Sequence, residues 1–176
     1  EAMLETREAF LQRNNLPDKP IIALLAGSRK GEISTMMPIL SQFAERMHSI
    51  DKYADFQFPI AGAPSRDKSD YEPWLSSCGN YVKLLFGQTQ SILKNAEAAV
   101  INSGTASLET VLFNTPQVVG YIGARISYII AKRIIKVRYI SLGNLILDKL
   151  AFRELIQDDF NPDALVEEVR RLIEDK

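Results

Sequence analysis

Two short turns in this sequence carry the residue types that hold a phosphate. Gly27-Ser28-Arg29 and Ser103-Gly104-Thr105 each set a glycine beside a hydroxyl, and each precedes a stretch with helical apolar spacing. A glycine lets backbone approach a ligand closely, the N–H groups of a helix start point outward, and hydroxyls and a guanidinium complete an anion cradle. For either turn alone a structural reading competes: Gly27 and Gly104 permit tight strand-to-helix turns, and Ser28 and Thr105 act as N-caps. Two such turns in one sheet favour a diphosphate. Glu109 lies four residues after Thr105, so on a helix the two share a face, with Leu108, Val111 and Leu112 expected as the apolar stripe toward the sheet. A carboxylate there can accept both hydroxyls of a ribose, or it can complement the positive helix end.

Other chemistries are excluded by what the chain lacks. No Gly-x-Gly-x-x-Gly follows the first apolar run and no Gly-Lys-Ser/Thr marks a P-loop, which disfavours NAD and ATP. With one histidine, His48, and one cysteine, Cys78, nearly every His/Cys zinc spacing is removed and no intrachain disulfide can form. We therefore expect no cofactor and no divalent metal, and the cysteine usage is that of a reducing, cytoplasmic protein. A formal charge of -1 argues against a nucleic-acid partner, because neutralising many phosphates needs a cationic surplus. No apolar run approaches the ~20 residues of a membrane span, and the acidic start lacks the layout of a signal peptide.

The elements that must position these residues alternate regularly. Residues 1–18 read as a linker or amino-terminal helix ending at Asn14-Asn15-Leu16-Pro17, and one domain is expected over 19–176. Apolar runs at 21–25, 56–60, 82–86, 100–102 and 117–121 have the composition of buried strands. Helical patterns follow at 32–47, 69–78, 88–96 and up to Phe113; later come a helical candidate at 124–136, an extended segment at 137–146 and an amphipathic helix at 161–174. Strand, short loop and helix in this order indicate an α/β, Rossmann-like, doubly wound parallel sheet, whose ligands sit at the carboxyl ends of the strands.

Several segments resemble the lipid-A-disaccharide synthase family: Leu24-Leu25-Ala26-Gly27-Ser28-Arg29 with Glu32-Ile33, Asn102-Ser103-Gly104-Thr105-Ala106-Ser107-Leu108-Glu109, and Pro116-Gln117-Val118-Val119-Gly120-Tyr121. Ala131-Lys132-Arg133 and Tyr139-Ile140-Ser141-Leu142-Gly143-Asn144-Leu145-Ile146 continue the match. The resemblance covers the carboxyl-terminal, donor-binding half of that enzyme and implies one half of a GT-B fold. It further implies an inverting transfer of 2,3-diacylglucosamine from its UDP derivative to 2,3-diacylglucosamine 1-phosphate, giving lipid A disaccharide and UDP. Expected partners are those two substrates, the missing amino-terminal domain with the catalytic base, and the inner-membrane surface, on which the enzyme is peripheral from the cytoplasmic side. The isolated half is expected to be inactive. Where the family commonly has proline, this chain has Ala26 and Gly143, which leaves the backbone before Ser28 and Asn144 less restricted.

Carried over, the resemblance gives the diphosphate to Gly27, Ser28 and Arg29 with help from Ser103, Gly104 and Thr105, the ribose to Glu109, and a polar role near the donor to Asn144. The GT-B analogy sets the uracil edge near Gln88, Thr89 and Gln90, which read equally as caps and first-turn residues. Arg125, Lys132 and Lys136 fall on one helical stripe, suited to anionic lipid or simply a solvated edge. His48, Cys78 and Trp74 with Tyr71 and Leu75 read as structural. Two alternatives stand beside the synthase: another GT-B-like UDP-sugar enzyme of the UDP-N-acetylglucosamine 2-epimerase type, and a non-catalytic nucleotide- or membrane-binding module.

Overall fold

The computed structural model describes residues 4–102, 106–122 and 153–175. Ser103, Gly104, Thr105 and Asn144 lie outside that set. So do the segments 124–136 and 137–146, with Arg125, Lys132 and Lys136.

In chain order the described elements are α1 (Arg7–Arg13), β1 (Ile22–Leu25), α2 (Lys30–His48), β2 (Phe58–Gly62), α3 (Glu72–Leu75), β3 (Val82–Phe86), α4 (Thr89–Lys94), β4 (Ala98–Asn102), α5 (Ala106–Leu112), β5 (Gln117–Tyr121), β6 (Arg153–Ile156) and α6 (Pro162–Glu174). Six parallel strands form one sheet in the order β3-β2-β1-β4-β5-β6.

Alternation along the strands divides the core in two, because successive side chains leave opposite faces of a sheet. Ile22, Leu24, Phe58, Ile60, Ala98, Val100 and Val118 pack on one face with Ile33, Met36, Leu40 and Phe43 of α2 and Leu165 and Val169 of α6. Ile21, Ala23, Leu25, Ala99, Ile101 and Val119 pack on the other with Phe10 and Leu11 of α1 and Ile92 and Leu93 of α4. Both faces are covered, which is why β1 and β4 read as unbroken apolar runs.

The sequence expectations hold for the parallel sheet and shift at several ends. The second strand runs Phe58–Gly62 rather than 56–60: Gln57 makes only an isolated parallel bridge to Ile21, whereas pairing with β3 runs from Phe58 to Gly62. The helix expected over 69–78 is a 3-10 turn, Lys68–Asp70, followed by the four-residue α3. Tyr71 between them is buried, and its hydroxyl accepts the Ala63 N–H at 3.0 Å. The sequence gives no strand signal for β6, since Arg153-Glu154-Leu155-Ile156 lacks an apolar run; it pairs in register with β5 from Val118↔Arg153 to Tyr121↔Ile156.

Candidate functional site at the carboxyl edge of β1 and β4

Both candidate turns follow strands that are neighbours in the sheet. β1 pairs with β4 from Ile22↔Ala98 to Leu25↔Ile101, while β2 lies on the other flank of β1. The chain leaves β1 toward β2 and leaves β4 toward β5, in opposite directions, and the crevice at their carboxyl ends is where doubly wound sheets receive ligands.

Gly27 is required in the β1–α2 turn on two counts. Its φ is +101°, a region that side chains disfavour, and a Cβ there would lie 2.5 Å from Glu32 Oε2 and 2.7 Å from Asn102 Nδ2. Ser28 and Arg29 are exposed beyond it. The N-cap of α2 is Arg29, with no side-chain capping bond, so the reading of Ser28 as the cap is corrected. A guanidinium has no acceptor to offer. The acceptor comes from inside the helix: Glu32 Oε2 receives the N–H of Ser28 at 3.2 Å and of Arg29 at 3.3 Å.

On the neighbouring strand, buried Asn102 donates from Nδ2 to the Ala26 carbonyl at 3.3 Å. This ties the last residue of β4 to the residue after β1. In the sequence Glu32 and Asn102 stand out only as parts of longer motifs. The signal for Glu32 was its place three residues after a helix start, and that for Asn102 was a lone amide closing an apolar strand.

α5 presents Glu109, half-buried, in its first turn. The apolar stripe expected on this helix is not the one that faces the sheet. Ser107 and Thr110 are fully buried, whereas Val111 and Leu112 are 40% and 82% exposed. Thr110 Oγ1 donates to the Ala106 carbonyl at 2.7 Å, and Gln117 Nε2 donates to the Ser107 backbone carbonyl at 3.1 Å. Ser107 and Thr110 let helix and sheet backbones approach where leucines would hold them apart.

Gln88 precedes α4, and its amide exchanges two hydrogen bonds with that of Asn14, at 2.7 and 2.9 Å. Thr89 is the first residue of α4 and is half-buried. The Gln88 amide thus holds the end of α1 to the start of α4, and a base edge reading Gln88 would have to break that pair.

A cavity of about 310 Å³ lies at the opposite, amino edge of β2 and β3, lined by Lys19, His48, Gln57, Tyr81 and Lys83 among others. Several of its polar groups are already paired. Lys83 Nζ donates to the Asn15 carbonyl at 2.8 Å, Gln57 Nε2 to the carbonyls of Pro17 and Lys19 at 2.8 and 3.0 Å, and Lys19 pairs with Asp55 at 3.4 Å. His48 stacks on Tyr81 at 3.7 Å between centroids, and its buried Nδ1 has no hydrogen-bond partner among the described residues. Among the described residues no group of three or more His, Cys, Asp or Glu is placed to hold a metal, and no helix is long and apolar enough to cross a membrane.

The fold is the α/β, Rossmann-like half found in GT-B glycosyltransferases. It is similar to Escherichia coli ADP-heptose LPS heptosyltransferase II, with a TM-score of 0.71 at 14% identity, covering 98% of this chain and 53% of that one. Staphylococcus aureus MnaA, in a co-structure with UDP, gives a TM-score of 0.64 at 13% identity, covering 98% and 40%. The lipid-A-disaccharide synthetase family matches residues 1–176, and the chain belongs to that family. The lipid-A-disaccharide synthase of Pseudomonas fluorescens is 38% identical over 168 residues, and that of Anaeromyxobacter dehalogenans 33% over 171. In both cases the alignment covers 96% of this chain and 44% of the relative.

Proposed function

We propose that this chain is the donor-binding half of an inverting glycosyltransferase that moves 2,3-diacylglucosamine from its UDP derivative to 2,3-diacylglucosamine 1-phosphate. The observation that carries the reading is the hydrogen bond from Asn102 to Ala26, which fixes the ends of β1 and β4 against each other where the fold receives ligands. Beside it the nineteen-residue α2 begins, with its aligned peptide dipoles and the exposed guanidinium of Arg29. In this reading Gly27, Ser28 and Arg29 cradle the donor diphosphate, with help from Ser103, Gly104 and Thr105. Glu109 accepts the ribose hydroxyls, and Asn144 makes a polar contact near the donor.

The acceptor site and the base that deprotonates its hydroxyl belong, in this proposal, to the part of the relatives that this chain does not span. Inversion needs that base in line with the anomeric carbon, opposite the leaving UDP. The diphosphate cradle then serves as the leaving-group side, stabilising charge as the glycosidic bond breaks. The stripe of Arg125, Lys132 and Lys136 is proposed to rest on the anionic inner leaflet that supplies both lipid substrates.

Calorimetric titration of the chain with UDP tests the reading. Arg29→Ala is expected to weaken UDP by about 1.5–3 kcal/mol, the scale of a charged hydrogen bond, with partial recovery in Arg29→Lys. Equal affinity in wild type and Arg29→Ala would remove Arg29 from the site.

A further inference from the structure

We propose that Glu32 is a built-in stand-in for the donor diphosphate, and that its carboxylate limits donor affinity by competing for the amides of Ser28 and Arg29. The inference rests on the donor-site reading above and adds a residue that reading does not use.

The geometry is that of an anion in its receptor. One carboxylate oxygen, Oε2, takes both N–H groups, at 3.2 and 3.3 Å, in the way a single phosphate oxygen is received by consecutive amides at a helix start. The space is used up: the same oxygen lies so close to Gly27 that even a Cβ there would come within 2.5 Å. A phosphate oxygen bound to these amides and the Glu32 carboxylate cannot share that position. The turn has little freedom to move aside, because Asn102 holds Ala26 from the neighbouring strand.

What can move is the side chain. Glu32 is half-buried, in the first turn of α2, and its carboxylate reaches back over Ser28, which is exposed. If the diphosphate displaces it, binding must break two hydrogen bonds to a charged group; if the diphosphate settles beside it, two anions meet within one turn of helix. Either way the carboxylate opposes the donor, and after transfer it is ready to retake the amides as UDP leaves. Glu32→Gln retains an oxygen for the amides while removing the charge, so it separates competition from scaffolding.

The test is titration of wild type and Glu32→Gln with UDP and with uridine at low salt. The variant is expected to bind UDP about three- to tenfold more tightly, with a smaller gain at high salt and no gain for uridine. A variant that melts like wild type but binds UDP equally or more weakly overturns the proposal. In wild-type protein carrying 13C-labelled glutamate, the Glu32 carboxyl resonance is expected to move on addition of UDP and to stay in place with uridine. A resonance unmoved at UDP saturation also overturns it. If UDP binds wild type and weakens with Arg29→Ala while Glu32→Gln gains nothing, Glu32 alone loses its role. If UDP binds none of the proteins, the donor-site reading falls and takes this inference with it.

Discussion

Asn102 and Ala26 stand 76 positions apart in sequence and meet through one side-chain hydrogen bond of 3.3 Å. The bond joins two strands that belong to successive halves of the winding, at the one edge where both candidate turns begin. Its donor is a buried amide, so the residue cannot be replaced by a hydrocarbon without leaving the Ala26 carbonyl short of a partner. Asn102→Leu is therefore expected to lower unfolding stability by about 1–3 kcal/mol and to weaken UDP as well. Urea unfolding and calorimetry on the same preparations check both, and undiminished UDP affinity would separate the bond from the site.

Gly27→Ala introduces a Cβ where the backbone is in the left-handed region and where Glu32 and Asn102 already crowd the turn. The expected outcome is a folded chain with lowered melting temperature and UDP affinity reduced at least about tenfold, since strain of about 1–3 kcal/mol at such a position is relieved by remodelling the turn. Gly31→Ala serves as the control, because a Cβ there meets nothing within 4 Å. Equal UDP binding by wild type and Gly27→Ala would show that the turn's shape is not used.

The contact between the 3-10 turn Asp51–Tyr53, which follows α2, and the end of α6 has a pH dependence of definite sign. Glu174 accepts from the Tyr53 hydroxyl and pairs with Lys52 at 3.0 Å and Arg170 at 3.7 Å. The Tyr53 hydrogen bond first, then that of Lys52, holds its carboxyl below the ordinary glutamate value of 4.5. A folded value below the unfolded one means that the contribution is complete above about pH 4.5 and disappears as pH falls through the folded value. Melting temperatures of wild type and Glu174→Gln, followed from neutral pH to below pH 4, should therefore converge on acidification. A gap that widens toward acid would contradict the assignment.

Much of this arrangement was legible because it is local. Gly27-Ser28-Arg29 after an apolar run and Gln117–Tyr121 behind Pro116 are decided by neighbouring residues, and the parallel class follows from strands covered on both faces. What sequence did not disclose depends on packing. Val111 and Leu112 satisfy a helical apolar pattern, yet Ser107 and Thr110 face the sheet, because close approach there selects small side chains over apolar ones. β6 is defined by pairing with β5 rather than by its own composition. The bond between Asn102 and Ala26 and the grip of Glu32 on the turn require knowing that β1 and β4 are neighbours.

Catalysis is expected to need more than this half. Supplied with UDP-2,3-diacylglucosamine and 2,3-diacylglucosamine 1-phosphate, the 176-residue chain should form no disaccharide above background, and fusion to the remaining part of a relative should restore it. Turnover by the chain alone, lost in Arg29→Ala, would put the base within these residues.

A crystal of the chain soaked with UDP locates the donor. The diphosphate is expected at the carboxyl edge of β1 and β4, within hydrogen-bonding distance of Ser28 and Arg29, with the Glu32 carboxylate turned away from their amides. UDP bound instead at the amino edge, against His48 and Tyr81, or along α6 with the β1–α2 turn still closed on Glu32, would contradict that placement.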